Sequence, residues 1–286
     1  MIVEVVKSGL YTTLQDRGRA RYAHKGIPRG GAMDIESYDL CNLLLNNDPD
    51  EPVIECTMLG PSLLFHEIGS IVITGSDLSP TINKVPVSNN VVRRITKGDV
   101  LSFGRIQSGC RCFIGISGRW QVNRWKGSVS PLSYGNVLSE NILRKGSSIK
   151  ITSNELESRA LVQVSREIPN REVHSLDVYK GPEYDLFSQS TIKQIGSETY
   201  RVHNDSNRMG YRLTGAKVRT DHLPPMISSG VLPRTIQITS SGLPIILCCD
   251  AQTVGGYPRI GILSQKSLNH MAHIKPGDQV QFRYIT

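Results

Sequence analysis

The chain has 286 residues, of which 38% are hydrophobic and 20% are charged, a composition ordinary for a globular protein of one large or two medium domains. Its formal net charge of +8 raises the possibility of a nucleic-acid or membrane partner. Because the lysines and arginines are spread along the chain without a long run, we instead predict a solvated basic surface, with no nucleic acid and no membrane as partner.

Short apolar runs separated by turn residues predict a mainly β fold, because 26 glycines and 15 prolines punctuate stretches rich in valine and isoleucine. In chain order, the predicted strands cover residues 2–6, 71–74, 91–95, 100–103, 112–116, 149–152, 161–164, 235–239, 245–249 and 280–284. Only a few short helices are expected, since helical periodicity is rare in this sequence.

The strongest helical pattern begins at Asp34, a residue type that caps helix N-termini, and continues through IESYDLCNLLLNN. Ile35, Tyr38, Cys41 and Leu45 fall on one face of this helix. The weaker helical patterns cover residues 190–195 and 264–273.

A polar stretch at residues 165–175, SREIPNREVHS, predicts a boundary between an N-terminal β-domain, residues 1–166, and a C-terminal β-domain, residues 172–286. Three pairs of similar segments suggest an internal duplication that would produce two related domains. The pairs are VEVVKSG (3–9) with LDVYKGP (176–182), KGDVLSFG (97–104) with PGDQVQFR (276–283), and GIPRGG (26–31) with GVLPRT (230–235). Chance similarity among glycine and proline turns is the alternative.

The N-terminus, MIVEVVKSG, lacks the basic and apolar segments of a signal peptide, and no apolar run approaches the length of a membrane span. The six cysteines include no C-x-x-C pair, and Cys112, Cys248 and Cys249 lie in apolar runs. We therefore predict a cytoplasmic protein whose cysteines are reduced and structural.

Several common catalytic and cofactor motifs are absent from the sequence. It contains no G-x-x-x-x-G-K-[ST] phosphate loop, no G-x-S-x-G nucleophile motif and no H-E-x-x-H metal motif. It also lacks the Met-Lys-Met tripeptide at which biotin is usually attached. We therefore predict no metal site and no covalently attached biotin in this chain.

Three turn-rich segments combine charged residues with glycines, namely TTLQDRGRARYAHKGIPRGGAMD (12–34), NDSNRMGYRLTG (204–215) and DAQTVGGYPRIG (250–261). Glycine lets a ligand or a second backbone approach closely, and arginine suits bidentate recognition of a carboxylate or phosphate. These segments are therefore candidate ligand-binding loops. Ordinary polar surface loops are the alternative.

These three segments, together with ECTMLGPSLLF (55–65) and PGDQVQF (276–282), resemble the biotin-dependent carboxyltransferase, or allophanate hydrolase subunit 2, family. The matches Q-D-x-G-R, G-A-M-D, R-M-G-Y-R and Q-T-x-G-G-Y-P occur in the family's order along nearly the whole chain. The family includes the C subunit of 5-oxoprolinase, the bacterial KipA protein and part of the carboxyltransferase region of urea carboxylase.

The resemblance implies tandem cyclophilin-like β-barrel domains and a role within an ATP-dependent 5-oxoprolinase, which opens 5-oxo-L-proline to L-glutamate. The chain would be the C subunit of that enzyme. Its implied partners are a KipI-like B subunit, a LamB/YcsF-like A subunit, and a small-molecule substrate, with ATP used by the complex. We expect the chain to be inactive alone.

Two other functions stay open. One is a KipA-like non-catalytic regulator that binds a KipI-like kinase inhibitor. The other is a carboxyltransferase component that uses carboxybiotin carried by another protein.

Opening a lactam through an activated intermediate requires carbonyl polarisation and control of phosphate charge, for which arginines and backbone N–H groups are suited. The candidate catalytic residues are Arg17, His24, Arg208 and Arg212. The candidate substrate-binding residues are Asp16, Arg29, Glu55, Gln252, Thr253, Gly255, Gly256 and Tyr257. In the third loop, the two glycines would bring the backbone to the ligand, and Tyr257 would form a wall.

Structural roles are the alternative for many of these residues. Arg17, Arg208 and Arg212 could equally pair with carboxylates of the chain, and Glu55 could be a buried partner of an arginine. The glycines of the first loop could simply permit positive φ angles in a turn.

One segment, SGRWQVNRWKGSVSPLSYG (117–135), departs from the family pattern. Val129 stands where the family usually has arginine, and Pro131 stands where it usually has threonine. If that arginine contacts substrate or phosphate in relatives, the chemistry of this chain differs. The same segment holds both tryptophans of the chain, Trp120 and Trp125, which could anchor a partner, contact nucleic acid or lie in the core.

Overall fold

The computed structural model describes residues 1–132, 134–152, 168 and 171–285, and it divides the chain into two compact units. Unit 1 consists of Met1–Arg19 and Gly30–Asn170, and unit 2 consists of Ala20–Arg29 and Arg171–Thr286. The predicted strand at 161–164 and most of the predicted boundary segment at 165–175 lie outside the described residues.

Unit 1 is mainly β. Its strands are β1 (Ile2–Lys7), β2 (Tyr11–Gln15), β3 (Val53–Thr57), β4 (Ser62–Phe65), β5 (Gly69–Gly75), β6 (Thr81–Ile82), β7 (Val85–Pro86), β8 (Arg93–Ile95), β9 (Val100–Ser102), β10 (Arg111–Ile116), β11 (Arg119–Gln121) and β12 (Ser148–Thr152). Its helices are α1 (Ile35–Leu45) and a 3₁₀ turn at Ser139–Asn141.

The strands of unit 1 form a seven-stranded sheet, in the order β11-β12-β1-β4-β9-β6-β7, and a five-stranded sheet, in the order β2-β3-β10-β5-β8. Val3 and Val5, alternate residues of β1, are fully buried, as the two-residue period of a strand requires. They share one apolar core cluster with Ile54 and Ile114 of the five-stranded sheet. The two sheets of unit 1 therefore pack over a common core.

Helix α1 covers the other face of the five-stranded sheet. Tyr38, Cys41 and Leu45 of the helix cluster with Val72 of β5 and Phe113 of β10. These two strand residues alternate with residues that face the common core, so they point the opposite way. The predicted helix and its predicted apolar face are thus confirmed.

The predicted cap of α1 is also confirmed. The carboxylate of Asp34 accepts hydrogen bonds from the backbone N–H groups of Glu36 and Ser37 at 3.0 and 3.2 Å. The helix ends at Asn46, whose left-handed φ of 52° is typical of a C-terminal cap.

Unit 2 contains a closed barrel. Its strands are β13 (Val173–Lys180), β14 (Thr199–Val202), β15 (Gly210–Thr214), β16 (Ser229–Gly230), β17 (Thr235–Ile238), β18 (Pro244–Leu247), β19 (Val254–Gly255), β20 (Arg259–Leu263) and β21 (Gln279–Tyr284). Its helices are α2 (Gln189–Ser197), α3 (Gln265–Met271) and 3₁₀ turns at Ala23–Lys25 and Tyr184–Leu186. The barrel order is β13-β20-β17-β18-β15-β14-β21, closed by the parallel pairing of β13 with β21, and β16 and β19 form a separate two-stranded sheet.

The predicted fold class, mainly β with few short helices, is confirmed. Each predicted strand within the described residues is present with ends shifted by at most two positions, and α2 and α3 match the two weaker helix predictions. All six cysteines are buried and none forms a disulfide. In the described part of the chain, no helix is long and apolar enough to cross a membrane.

One of the three repeated sequence pairs corresponds to a repeated turn. In unit 1, the turn before β9 places Gly98 at a φ of 92°. The carboxylate of Asp99 accepts a hydrogen bond from the Thr96 N–H at 2.7 Å, and the Gly98 N–H donates to the carbonyl of Phe65 at 2.7 Å. Phe65 is the last residue of β4, the strand that pairs with β9.

The turn before β21 in unit 2 has the same geometry. Gly277 also has a φ of 92°. The carboxylate of Asp278 accepts from the Lys275 N–H at 3.0 Å, and the Gly277 N–H donates to the carbonyl of Val202 at 2.9 Å. Val202 is the last residue of β14, which pairs with β21. The similarity of KGDV and PGDQ therefore reflects one backbone solution used in both units, which supports the duplication hypothesis.

Candidate functional site

In the first loop, Asp16 is a buried acceptor that fixes other parts of unit 1. Its carboxylate accepts hydrogen bonds from the Gly18 N–H at 2.8 Å, the Ser128 hydroxyl at 2.6 Å and the Val129 N–H at 2.8 Å. The guanidinium of Arg124 lies 3.4 Å away. Both carboxylate oxygens thus have partners within the chain, so Asp16 holds the 124–129 segment in place.

Close packing requires glycine at position 31 of this loop. Gly31 has a φ of 87°, and a Cβ built there would lie 2.7 Å from the backbone nitrogen of Gly18. The Gly31 N–H donates to the Ser130 hydroxyl at 3.0 Å, and Arg19 donates to the Ser130 carbonyl. Positive φ and lack of a side chain are both needed at Gly31, as the structural alternative predicts.

Arg17 lies at the surface of unit 1 and bridges two carboxylates. Its guanidinium is 2.7 Å from Asp39 and 3.1 Å from Asp50, and its side chain is 43% exposed. Asp50 also lines an open groove of about 680 Å³ on unit 1. The groove is lined by Asn47, Asp48, Asp50, Glu51, Gly118, Arg119, Trp120, Val122 and Arg124.

Glu55 is the buried partner of an arginine. It lies on β3, is 1% exposed, accepts from the Met33 N–H at 2.9 Å and approaches the Arg111 guanidinium at 3.7 Å. The structure therefore favours the structural alternative for Glu55 over direct contact with a substrate.

His24 and Arg29 belong to the segment of the first loop that is part of unit 2. His24 lies in the 3₁₀ turn Ala23–Lys25, which ends at Gly26 with a φ of 73°. Both side chains are exposed. They are available to a ligand or a partner, unlike Asp16 and Glu55.

In unit 2, Arg208 and Asp250 form a buried bidentate ion pair. The Nε and Nη2 atoms of Arg208 donate to the two carboxylate oxygens of Asp250 at 2.8 and 2.9 Å. The Asp250 N–H also donates to the Arg208 carbonyl at 2.9 Å. Their side chains are 5% and 10% exposed. This pair joins the second and third loops, so the structure brings two sequence-predicted segments together.

Arg212 differs from Arg208 in its exposure. It lies on β15 between the buried residues Tyr211 and Leu213, so its side chain points outward and is exposed. Of the two arginines in the second loop, Arg212 is the one that a ligand can reach.

The third loop forms an arch above the β17–β20 part of the barrel. β19 pairs with β16 through Gly255 and Ser229, and the Val231 N–H donates to the Thr253 carbonyl at 2.9 Å. Thr253 is half-buried. Gln252 and Gly256 are exposed, and the Tyr257 side chain is 43% exposed.

Arg259 supports this arch, although the sequence patterns do not mark it as a site residue. Its Nε atom donates to Glu183 at 2.7 Å, its Nη2 atom pairs with the same carboxylate, and its Nη1 atom donates to the Gly230 carbonyl at 2.9 Å. The hydrogen bonds from Arg259 lower the pKa of Glu183. The arginine of the Y-P-R-I-G sequence thus clamps β16 and β20, and its place in the motif was the available signal.

The two tryptophans have different environments. Trp120 is 5% exposed and lies in the core cluster of unit 1, with its indole N–H 3.3 Å from the Ile116 carbonyl. Because its side chain fills the core, the structure favours core burial, the alternative role, for Trp120. Trp125 is half-buried, and the Arg19 guanidinium lies 5.3 Å from its ring centre.

Trp125 begins a tight hairpin. Its backbone N–H and carbonyl bond to Ser128 at 2.9 and 3.2 Å, while Lys126 and Gly127 have φ values of 51° and 80°, as a type I′ turn requires. Val129, which follows, is fully buried. The position at which the family usually has arginine therefore carries an apolar core side chain here.

A pair of histidines, His174 buried and His270 half-buried, lies apart from these loops in unit 2. The Nδ1 atom of His174 is 2.9 Å from the Nε2 atom of His270. Burial lowers the pKa of both histidines. The pKa of His270 falls to about 4, because the charges of His174 and His273 also oppose its protonation. Among the described residues, no group of three or more histidine, cysteine or acidic side chains is arranged to hold a metal ion.

Comparison with known proteins identifies the family. The profile described as carboxyltransferase domain, subdomain A and B, matches residues 25–284. The chain belongs to this carboxyltransferase-domain family. The family resemblance predicted from the sequence motifs is therefore confirmed.

Relatives of this carboxyltransferase-domain chain include proteins with two different names. It is 30% identical over 283 residues to the C subunit of 5-oxoprolinase from Escherichia coli, covering 98% of this chain and 90% of the relative. It is 31% identical over 301 residues to urea amidolyase of Saccharomyces cerevisiae, covering 98% of this chain but 16% of the relative. The crystal structure of K. lactis urea amidolyase superposes with a TM-score of 0.89 at 30% identity, covering 100% of this chain and 19% of that one.

Proposed function

We propose that this chain is the C subunit of a bacterial-type, ATP-dependent 5-oxoprolinase. The reaction adds one water across the lactam C–N bond of 5-oxo-L-proline to give L-glutamate, and ATP is hydrolysed to ADP and phosphate. The observation that carries the proposal is the 30% identity to the 5-oxoprolinase C subunit, which extends over 90% of that relative.

The exposed loop residues are the ones we assign to the substrate. Arg212 would bind the carboxylate of 5-oxoproline or the phosphate of an activated intermediate, since arginine pairs with both. Tyr257 and Thr253 would line the position of the lactam ring. Arg208 acts indirectly, because its guanidinium fork is already bound by Asp250.

The exposed histidine and arginine of the first loop have a related role in this proposal. Because the side chains of His24 and Arg29 reach solvent, they can contact a substrate or another protein of the complex. Asp16 and Glu55 instead position backbone segments through buried hydrogen bonds. This division revises the sequence-based assignment of Asp16 and Glu55 from substrate contact to positioning.

The chain is proposed to act within a complex. Two further subunits, one KipI-like and one LamB/YcsF-like, would supply the remaining parts of the site, and ATP would be used by the assembled enzyme. The support is the name of the relative, which describes one component of an enzyme, and the lack of a phosphate-loop sequence in this chain. Trp125, half-buried at the start of a tight hairpin in a basic segment, is our candidate for a partner contact.

A second candidate is a carboxyltransferase component that uses carboxybiotin carried by another protein. The observation that favours it is the 31% identity to urea amidolyase. This chain spans a sixth or less of that relative, so the similarity concerns one region of a much longer protein.

The test is reconstitution. The purified chain, the two other subunits and all pairs of subunits are incubated with ATP and 5-oxo-L-proline, and L-glutamate release is measured. We expect release only from the complete complex, and none without ATP. Release by this chain alone would refute the claim of an obligate complex. ATP-independent carboxyl transfer from carboxybiotin to an amide, with no glutamate release, would favour the second candidate.

An arginine substitution tests the assignment within the site. In the complete complex, Arg212→Lys should lower turnover, since lysine cannot form the planar two-point contact. Arg201→Lys, at an exposed arginine on the neighbouring strand β14, is the matched control and should retain normal turnover. Equal turnover in both variants would remove Arg212 from the site.

A further inference from the structure

Gln237 is a completely buried polar side chain beneath the arch of the third loop. It lies on β17, between β18 and β20, and is 0% exposed. The ladder between β17 and β20 shifts register between Ile236 and Gln237, which places this side chain at an irregular point of the barrel wall. Nothing in the sequence motifs singled out this residue.

The nitrogen of the Gln237 carboxamide has a hydrogen-bond partner, whereas its oxygen has none within the described part of the chain. Its Nε2 atom donates a hydrogen bond to the carbonyl of Tyr257 at 3.1 Å. Its Oε1 atom is buried and meets no hydrogen-bond donor among the described residues. A buried acceptor without a donor is unfavourable, and such groups are rare in native proteins. The bond to Tyr257 also fixes the orientation of the carboxamide, so the open end is always the acceptor.

The backbone of Gly255 lies against this carboxamide. A Cβ built at Gly255 would lie 2.9 Å from Nε2 and 3.5 Å from Oε1 of Gln237. The next residue, Gly256, is exposed and has the Ser228 hydroxyl as its nearest neighbour, 3.2 Å from a Cβ built there. A side chain at position 255 would press on the carboxamide, so this close contact requires glycine there.

The arch is held firmly on both sides of Gly255. Arg259 ties the Gly230 carbonyl to Glu183, and Arg208 holds Asp250 at the start of the loop. Access of a ligand to Oε1 therefore requires Gly255 to leave its pairing with Ser229 of β16, while the two arginine contacts hold the flanking parts of the arch.

We propose that Gln237 recognises a substrate N–H, with its Oε1 atom accepting a hydrogen bond from the nitrogen of a lactam or carboxamide. The inference rests on the proposed function, because it assigns the specificity of the same site for an N–H-bearing amide over the isosteric ester. The N–H of the bound ring satisfies the buried acceptor, whereas a lactone presents an oxygen lone pair to it. A site built to accept a substrate N–H rejects analogues that lack it, because its own polar group then stays unpaired.

The experiment compares two ligands of nearly identical shape on the assembled complex. These are 5-oxo-L-proline and the corresponding lactone, 5-oxotetrahydrofuran-2-carboxylate, in which oxygen replaces the N–H. Dissociation constants are measured by calorimetry without ATP, so that turnover is not needed. We expect the lactam to bind about 10- to 100-fold more tightly than the lactone, the range given by one hydrogen bond whose loss leaves a buried acceptor unpaired.

Variants assign this preference to Gln237. Gln237→Met, which keeps length and burial but removes the acceptor, should abolish the lactam preference. Gln189→Met, at an exposed glutamine of α2, should keep it. Equal binding of the two ligands by the wild type, or an unchanged preference in Gln237→Met, overturns the inference. If Gln237→Met fails to fold by circular dichroism, the wild-type ratio alone decides.

The outcome is distinguishable from that of the proposed function. Glutamate release by the complex together with equal lactam and lactone binding leaves the proposed function standing and refutes the role of Gln237. A complex that lacks oxoprolinase activity but prefers the lactam supports amide recognition by Gln237 and refutes the reaction. Absence of any lactam binding refutes the role of Gln237.

Discussion

Replacing Asp250 with asparagine should destabilise unit 2 strongly, because it leaves the buried guanidinium of Arg208 without its counter-charge. The native pair has two charge-assisted hydrogen bonds, at 2.8 and 2.9 Å, between side chains that are 5% and 10% exposed. Asparagine keeps the size of the side chain and one acceptor but removes the charge. The substitution therefore isolates the electrostatic contribution of the pair.

Removing one partner of a buried ion pair costs about 3–5 kcal/mol, whereas an exposed pair contributes about 0.2–1 kcal/mol. Since asparagine can still accept one hydrogen bond, we expect the lower end for Asp250→Asn, about 3 kcal/mol. That is a large part of the about 5–15 kcal/mol that stabilises a typical domain. The double variant Arg208→Met/Asp250→Leu removes both charges and should recover much of the loss.

The assay is urea unfolding combined with hydrogen exchange of the segments 205–212 and 245–260. Exchange locates the effect in the two loops that the pair joins, so it does not depend on whether the two units unfold together. Asp177→Asn is the matched control, because Asp177 pairs with Arg283 in the same unit at 2.7 Å but with side chains 23% and 67% exposed. Equal losses in the two variants, or a loss below about 1 kcal/mol in Asp250→Asn, would refute the argument from burial.

Three further predictions concern pH, the core and the first loop. The free energy of unfolding should fall as the pH drops from 6.5 toward about 4, because an unfolded histidine of pKa 6.5 binds a proton that folded His270 does not. His270→Gln should therefore flatten the dependence of the urea midpoint on pH. An unchanged slope in this variant would contradict the prediction. Trp120→Ala should lower the free energy of unfolding by about 3–5 kcal/mol, measured by thermal unfolding, because the side chain fills the core. Trp125→Ala should mainly weaken co-elution with the other subunits. A stable Trp120→Ala variant and an unstable Trp125→Ala variant would contradict both assignments. Gly31→Ala should lower the melting temperature more than Gly146→Ala, although both glycines have φ near 88°. A Cβ added at Gly31 lies 2.7 Å from backbone, whereas one added at Gly146 has no atom of a non-adjacent described residue within 4 Å. Equal melting temperatures of the two variants would contradict the packing argument.

The sequence predicts many of the strands but misses others, among them the apolar strands β3 and β4 and the polar strand β2. The pattern of β2 is typical of a loop because Thr12, Thr13 and Gln15 are polar, yet all three side chains are buried. β15 also falls within a predicted loop, although the buried residues Tyr211 and Leu213 lie on either side of the exposed Arg212, as the two-residue period of a strand requires. Polar residues form strands here because the surrounding fold buries them, and a local pattern does not contain that information.

The candidate site shows the same limit. Sequence motifs indicate which loops carry charge, but the partner of Arg208 is 42 residues away and is defined only by the closed barrel. Gln237 lies in the short sequence TIQI and looks like any polar residue of a strand. Its burial, its fixed orientation and its open acceptor depend on where β20 and the arch pass, so they are visible only in the structure.

The turns at Gly98 and Gly277 have the same geometry, so the two four-residue segments that form them should be exchangeable between the units. The segments Thr96–Asp99 and Lys275–Asp278 share the same φ at glycine and the same acceptor role for aspartate, while their second residue is lysine in one case and proline in the other. Exchange of TKGD and KPGD between the two units should therefore preserve both folds. The backbone shape of this turn is therefore set by its glycine and aspartate, which the two segments share, and not by its first two residues, which differ.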